Sequence, residues 1–124
     1  MFDQAKLDTM KTGMFKGTSY FGYSPSVLKS GICKYYRRGI WDKFEWCVIE
    51  MAIFDKATGG KGLFTNLVNR LKILLMEEIV FLELGPIEQC ISLLDGIATV
   101  SFEEKIRRLV WVCRVVKTCL QMLR

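Results

Sequence analysis

Apolar residues recur at helical spacing in several stretches of this chain, and the polar residues between them supply starts and stops. Ser24-Pro25 reads as an N-cap followed by a proline at the first helical position, where a missing N–H costs nothing. The helix it opens runs through Val27, Leu28, Ile32 and Tyr35 to Arg37-Arg38, and Gly39 supplies its C-cap. Gly31 weakens its middle. A second helix is expected from Ile40 to Asp55. Phe44, Cys47, Val48, Met51 and Ala52 follow i, i+3, i+4, i+7, i+8 spacing there, a single buried stripe, with Glu45 and Glu50 falling away from it. Thr58-Gly59-Gly60-Lys61-Gly62 then breaks the pattern.

A third helix is expected from Leu63 to Glu78 or a few residues beyond, with Leu63, Leu67, Leu71, Leu74 and Leu75 on one side and Asn66, Asn69, Arg70 and Lys72 on the other. Gly85-Pro86 restarts the chain, and Ile87 to Leu94 gives a short fourth helix ending near Asp95-Gly96. Residues 97–100 read as briefly extended. Ser101-Phe102-Glu103-Glu104 has capping-box spacing, so the last helix starts at Phe102 and runs to near Arg124. No strand alternation competes with these patterns. The expected architecture is all-α, a single compact bundle of about five helices over residues 24–124. Residues 1–23 hold Gly13, Gly17 and Gly22 among scattered lysines and aromatics without a persistent period, and read as an irregular N-terminal arm, flexible or draped over the domain.

Composition narrows the chemistry. The 124 residues include no histidine, which removes Ser-His-Asp and Cys-His catalysis and the usual imidazole metal sites. The five cysteines, Cys33, Cys47, Cys90, Cys113 and Cys119, form no CxxC pair and lie mostly in apolar stretches. They read as reduced, buried small hydrophobes in an intracellular protein, with no metal and no cofactor. The start of the chain lacks the basic and apolar regions of a signal peptide, and no window is apolar enough for a membrane span. Gly59-Gly60-Lys61-Gly62 is not a phosphate loop, because Lys61 is followed by Gly62 and Asp55 stands where the first glycine belongs. Glu77-Glu78 does not form an acid–base pair, since helix neighbours point about 100° apart. No catalytic residue is assigned.

The formal net charge is +5, and it is unevenly spread. Between Lys72 and Lys105 stand Glu77, Glu78, Glu83, Glu88, Asp95, Glu103 and Glu104 with no cation; after them come Lys105, Arg107, Arg108, Arg114, Lys117 and Arg124 with no acid. Such segregation either orients a partner or pairs internally between neighbouring helices. The last helix is basic, but its apolar arc is broad, and Trp111, Val115 and Met122 widen it further. A core helix or an oligomer interface explains that better than a membrane surface. Lys34, Tyr35, Tyr36, Arg37 and Arg38 form a basic knot with two aromatics at a helix C-terminus. Cations there are favoured by the helix dipole, and equally suit contact with nucleic-acid phosphates.

The order of motifs matters as well. Lys34-Tyr35-Tyr36-Arg37-Arg38-Gly39 is followed by a helix carrying Trp46 and Glu50-Met51, a glycine-rich break, Asn69-Arg70-Leu71-Lys72-Ile73, and finally Glu77-Glu78-Ile79. Over about residues 28–95 this resembles the carboxy-terminal helical region of the MgsA/RarA replication–recombination ATPases, relatives of clamp loaders. Similar segments appear in large DNA viruses and phages. Glu78 stands where that family favours aspartate and Val80 where it favours glycine, and the ATPase module has no counterpart. The resemblance implies the collar-like role that supports oligomer assembly, without ATP hydrolysis.

Together these readings describe a non-enzymatic helical module associated with DNA replication or repair machinery, acting through homo-oligomerisation and the binding of a protein partner or nucleic acid. Lys34, Arg37, Arg38 and Arg70 are the candidates for phosphate or acidic-partner contact, and Trp111, Val115, Met122 and Leu123 for an interface. The alternative is a structural or scaffold subunit of a larger, virus-encoded assembly, whose arm orders on a neighbour.

Overall fold

The computed structural model describes residues 2–10, 18–57, 59–77 and 84–123. Its secondary structure is entirely helical there: α1 (Gln4–Thr9), α2 (Pro25–Arg38), α3 (Trp41–Ala52), α4 (Lys61–Glu77), α5 (Leu84–Leu94) and α6 (Phe102–Leu123), with 3₁₀ turns at Ile53–Lys56 and Ile97–Thr99. The all-α expectation holds. The chain divides into two compact units, Met1–Leu67 and Val68–Arg124, with α4 contributing residues to each.

In the first unit α2 and α3 pack as a helical hairpin. The start of α2 follows the local signals: the Ser24 hydroxyl accepts from the Val27 N–H at 3.2 Å, and Pro25 occupies the first helical position. At its end Gly39 adopts φ +69°, and the Gly39 and Ile40 N–H groups donate to the carbonyls of Tyr36 and Tyr35. That left-handed turn would strain a side chain, and it reverses the chain into α3 within two residues. Leu28, Ile32, Phe44, Val48 and Met51 are fully buried along the hairpin. Tyr36 and Phe44 each pack near Trp41, with both ring pairs 6.1 Å apart and edge-on at 89°.

α3 is shorter than the pattern implied. It ends at Ala52 and tightens into the 3₁₀ turn, whose Phe54 carbonyl sits where a Cβ on Gly60 would have to lie, 1.9 Å away. The segment before Ser24 contains a helix that periodicity did not reveal. Asp3 caps α1 by accepting the Ala5 N–H at 3.0 Å, and Leu7 and Met10 are buried. A six-residue helix makes fewer than two turns, too few for a stripe to repeat. Of the glycines and lysines in the arm, Gly13, Gly17, Lys11 and Lys16 lie outside the described residues.

In the second unit α5 packs on α6, with Ile87, Cys90 and Leu94 buried on one helix and Leu109, Val112, Cys113, Val116 and Leu120 on the other. α5 begins at Leu84 rather than Ile87 and runs through Gly85-Pro86. A proline in the first turn is tolerated because the N–H groups there have no intrahelical acceptor. Residues 97–99 form a 3₁₀ turn instead of an extended step.

Only half of the expected capping box appears at the start of α6. Ser101 Oγ accepts the Glu104 N–H at 3.2 Å, but the Glu104 carboxylate turns away to Arg107, at 2.6 Å, and Arg108, at 3.0 Å. Two arginine partners outcompete a single backbone N–H. Arg108 also donates to the carbonyls of Leu93 and Asp95 at 3.3 and 3.5 Å, completing the end of α5, and Lys72 reaches Asp95 at 2.9 Å. The segregated charge is therefore partly consumed by local pairing. Lys105, counted among the cations of that segment, is itself buried. Glu78 and Glu83 lie outside the described residues.

Candidate functional site

α2 carries Lys29, Lys34, Arg37 and Arg38 and no acid. Lys34 and Arg38 are one helical turn apart, and both line a shallow groove of about 480 Å³ together with Ser26, Ser30, Tyr35, Val27 and Gly31. Two cations, two hydroxyls and a phenol on one helical face make a surface of hydrogen-bond donors. Arg37 is exposed on the same helix outside that groove, and Arg70 is exposed on α4 in the second unit. The structure thus brings together two of the four expected cations.

A second groove, of about 270 Å³, adjoins the first and shares Val27, Gly31 and Tyr35 with it. Tyr23, Trp46, Leu28, Cys47 and Lys43 complete its lining. Trp46 projects from α3 and is 44% exposed, Tyr23 is 46% exposed, and Phe21 and Val27 also reach solvent. Tyr23 meets Trp46 edge-on at 5.5 Å, and Phe21 lies 6.2 Å from it. Cations accompany these rings: Lys43 Nζ is 5.7 Å from the Tyr35 ring, and Lys6 Nζ is 5.0 Å from Tyr20 and 5.2 Å from Phe21.

The aromatic turn is held from beneath by a residue expected on the polar side of α3. Glu50 is 2% exposed, and one of its oxygens accepts from both the Ser19 hydroxyl, at 2.5 Å, and the Phe21 N–H, at 2.7 Å. The Ser19 oxygen in turn accepts the Tyr23 N–H at 3.0 Å, and the Ser19 N–H donates to the Tyr23 carbonyl at 2.6 Å. Burial of a carboxylate is costly unless such donors replace its water. Here they come from a segment about thirty residues upstream, so the helical period alone misplaces Glu50. Burial pushes the Cys47 thiol up from its ordinary value, and the Glu50 carboxylate adds to the shift. Cys47 therefore stays neutral, an apolar wall of the second groove.

Phe21, Tyr23, Lys43 and Trp46 are the members of this face that sequence reasoning missed. The one local signal was the cluster of Tyr20, Phe21 and Tyr23 just before Ser24, which reads as part of an arm whose lysines and aromatics interleave in a way that also suits nucleic-acid contact. Of the expected interface residues, Trp111 is 51% exposed on α6, whereas Val115 is half-buried at the seam lined also by Leu75, Pro86 and Cys90. The side chains of Met122 and Leu123 lie outside the described residues. Cys47, Cys90 and Cys113 are buried, while Cys33 and Cys119 are partly exposed. No helix among the described residues is long and apolar enough to cross a membrane.

Comparison with protein-family models, with curated proteins and with solved structures finds no match for this chain.

Proposed function

We propose that this chain is a non-enzymatic binding module that holds the phosphate backbone of DNA on the exposed face of α2, in the service of replication or repair machinery. The observation that carries this reading is the donor-lined groove, in which Lys34 and Arg38 share one helical face with Ser26, Ser30 and Tyr35. Protein contacts to phosphate oxygens come from these residue types. α2 carries four cations and no acid of its own, which makes that helix a source of positive field. The place of the module beside replication machinery rests on the resemblance of residues 28–95 to the helical region described above.

Fluorescence anisotropy with a labelled DNA oligonucleotide tests the reading. With Lys34 and Arg38 on phosphates, affinity should fall roughly 10-fold between about 50 and 200 mM salt. Binding that ignores salt, or no binding at low salt, overturns it. A second reading, self-association as a scaffold subunit, is favoured by the exposed Trp111 indole on α6. Light scattering after size exclusion, repeated on Trp111→Ser, decides whether that ring lies between copies of the chain.

A further inference from the structure

We propose that the module takes single-stranded DNA, with an unpaired base seated in the aromatic groove beside the phosphate-binding groove. This inference rests on the DNA-binding reading and adds the strandedness of the ligand. It stands on the junction of the two grooves rather than on either alone. On one side of Tyr35 are hydroxyls and cations, with Lys34 and Arg38 at the surface. On the other is a space of about 270 Å³ bounded by Tyr23, Tyr35 and Trp46. A strand crossing that ridge would lay its phosphates on donors and a base among rings.

Trp46 and Tyr23 keep nearly half of their surface in solvent although they are among the largest apolar groups of the unit. The turn that presents Tyr23 is anchored by a buried carboxylate, Glu50, so the rings are held in place before any ligand arrives. Holding aromatic groups exposed and ordered is useful to a ligand with flat faces, and every nucleobase has two. In a duplex those faces are covered by neighbouring base pairs, and only edges and phosphates are offered. A single strand presents both phosphate and face. The cations fit this ligand too: Lys43 lies on the rim of the aromatic groove, and Lys34 and Arg38 on the other.

The test uses the full chain and three labelled probes of about 20 nucleotides at low salt: oligo-dT, an abasic strand of equal length, and a duplex. The expected result is that oligo-dT binds at least about 10-fold tighter than the abasic strand, the size of effect that stacking of one base produces. Trp46→Leu, which keeps apolar bulk but removes the ring, should bring oligo-dT down to the abasic level while abasic binding stays the same. If that variant loses its helical circular dichroism, Tyr23→Ala at the groove edge serves in its place. Lys34→Ala with Arg38→Ala should weaken oligo-dT and abasic strands alike. Equal affinity for oligo-dT and the abasic strand, or a preference for duplex, overturns the base pocket and leaves phosphate binding standing. No binding of any probe overturns both readings. An acidic peptide with an apolar anchor that binds in a Trp46-dependent way, where oligo-dT does not, assigns the groove to a protein partner and refutes the proposal.

Discussion

Removing the carboxylate beneath the aromatic turn is the sharpest single perturbation that the fold offers. Glu50→Ala deletes an acceptor shared by the Ser19 hydroxyl and the Phe21 N–H, at 2.5 and 2.7 Å. Hydrogen bonds to a charged group are worth about 1.5–3 kcal/mol each, and a buried donor left unmade costs about 1–3 kcal/mol. Ser19 is buried, so water does not simply replace the lost acceptor; Phe21 is exposed at its ring, and its N–H can be rehydrated once the turn loosens. The two effects are not additive, and the expected net loss is about 3–4 kcal/mol if the turn stays docked. It is smaller if residues 19–23 detach locally.

Two measurements separate these outcomes. Urea denaturation reads the global loss as a fall in midpoint at constant slope. Amide hydrogen exchange at Phe21 and Tyr23 reads local opening and should quicken in either case. Glu50→Gln sharpens the comparison. Because both donors converge on one oxygen, the amide oxygen can accept both, but neutral bonds are roughly half as strong, so the expected loss is about 1–2 kcal/mol. An alanine variant within about 0.5 kcal/mol of the parent, with Phe21 and Tyr23 exchange unchanged, would refute the assignment of Glu50 as the anchor of the turn.

Other expectations follow from the same geometry. Gly60→Ala forces a methyl to within 1.9 Å of the Phe54 carbonyl oxygen, so either the 3₁₀ turn or the start of α4 must move. A loss of about 3 kcal/mol is expected, read as a lower thermal midpoint. Burial, with Cys119 nearby adding to it, pushes the Cys90 thiol up to about 11. Cys90 should resist a thiol reagent at pH 8 under native conditions, while the partly exposed Cys33 and Cys119 react first. The unfolded chain releases that proton near its ordinary value, so this contribution to stability is complete below about pH 9 and lost as pH rises towards about 11. Its upper bound is about 2–3 kcal/mol, measurable by denaturation at a series of alkaline pH values. Hydrogen bonds from Arg107 and then Arg108 hold the Glu104 carboxyl below its ordinary value. Its stabilising effect is therefore present above the unfolded value and fades as pH falls. Replacing both arginines by glutamine should raise the Glu104 titration midpoint seen by NMR. Ser101→Ala removes the cap of α6 and should cost about 1 kcal/mol.

Signals that act over a few residues were legible in the chain. Ser24-Pro25, Gly39 and Ser101 mark helix ends because each makes its decisive hydrogen bond or backbone turn within four positions of itself. The stripe Phe44, Cys47, Val48, Met51 and Ala52 identified the buried face of α3 for the same reason, and the all-α class followed from several such stripes. Helix limits were read less well: α3 gives way to a 3₁₀ turn after Ala52 rather than running to Asp55, and α5 starts at Leu84 rather than Ile87.

The amino-acid sequence by itself determined the helical class, the main caps, the cationic face of α2 and the exclusion of histidine chemistry. Tertiary structure decided which polar groups lie inside and which apolar ones lie outside. Glu50 looks solvent-facing from its helical position, yet it is buried because Ser19 and Phe21, distant in the chain, supply donors to its carboxylate. The same folding leaves Tyr23 and Trp46 in solvent beside Lys43, forming a groove from residues that no local pattern unites. A periodic pattern reports the environment that one helix would choose alone. The cost of burying a charge or exposing a ring depends on partners that only the fold brings within hydrogen-bonding and packing distance.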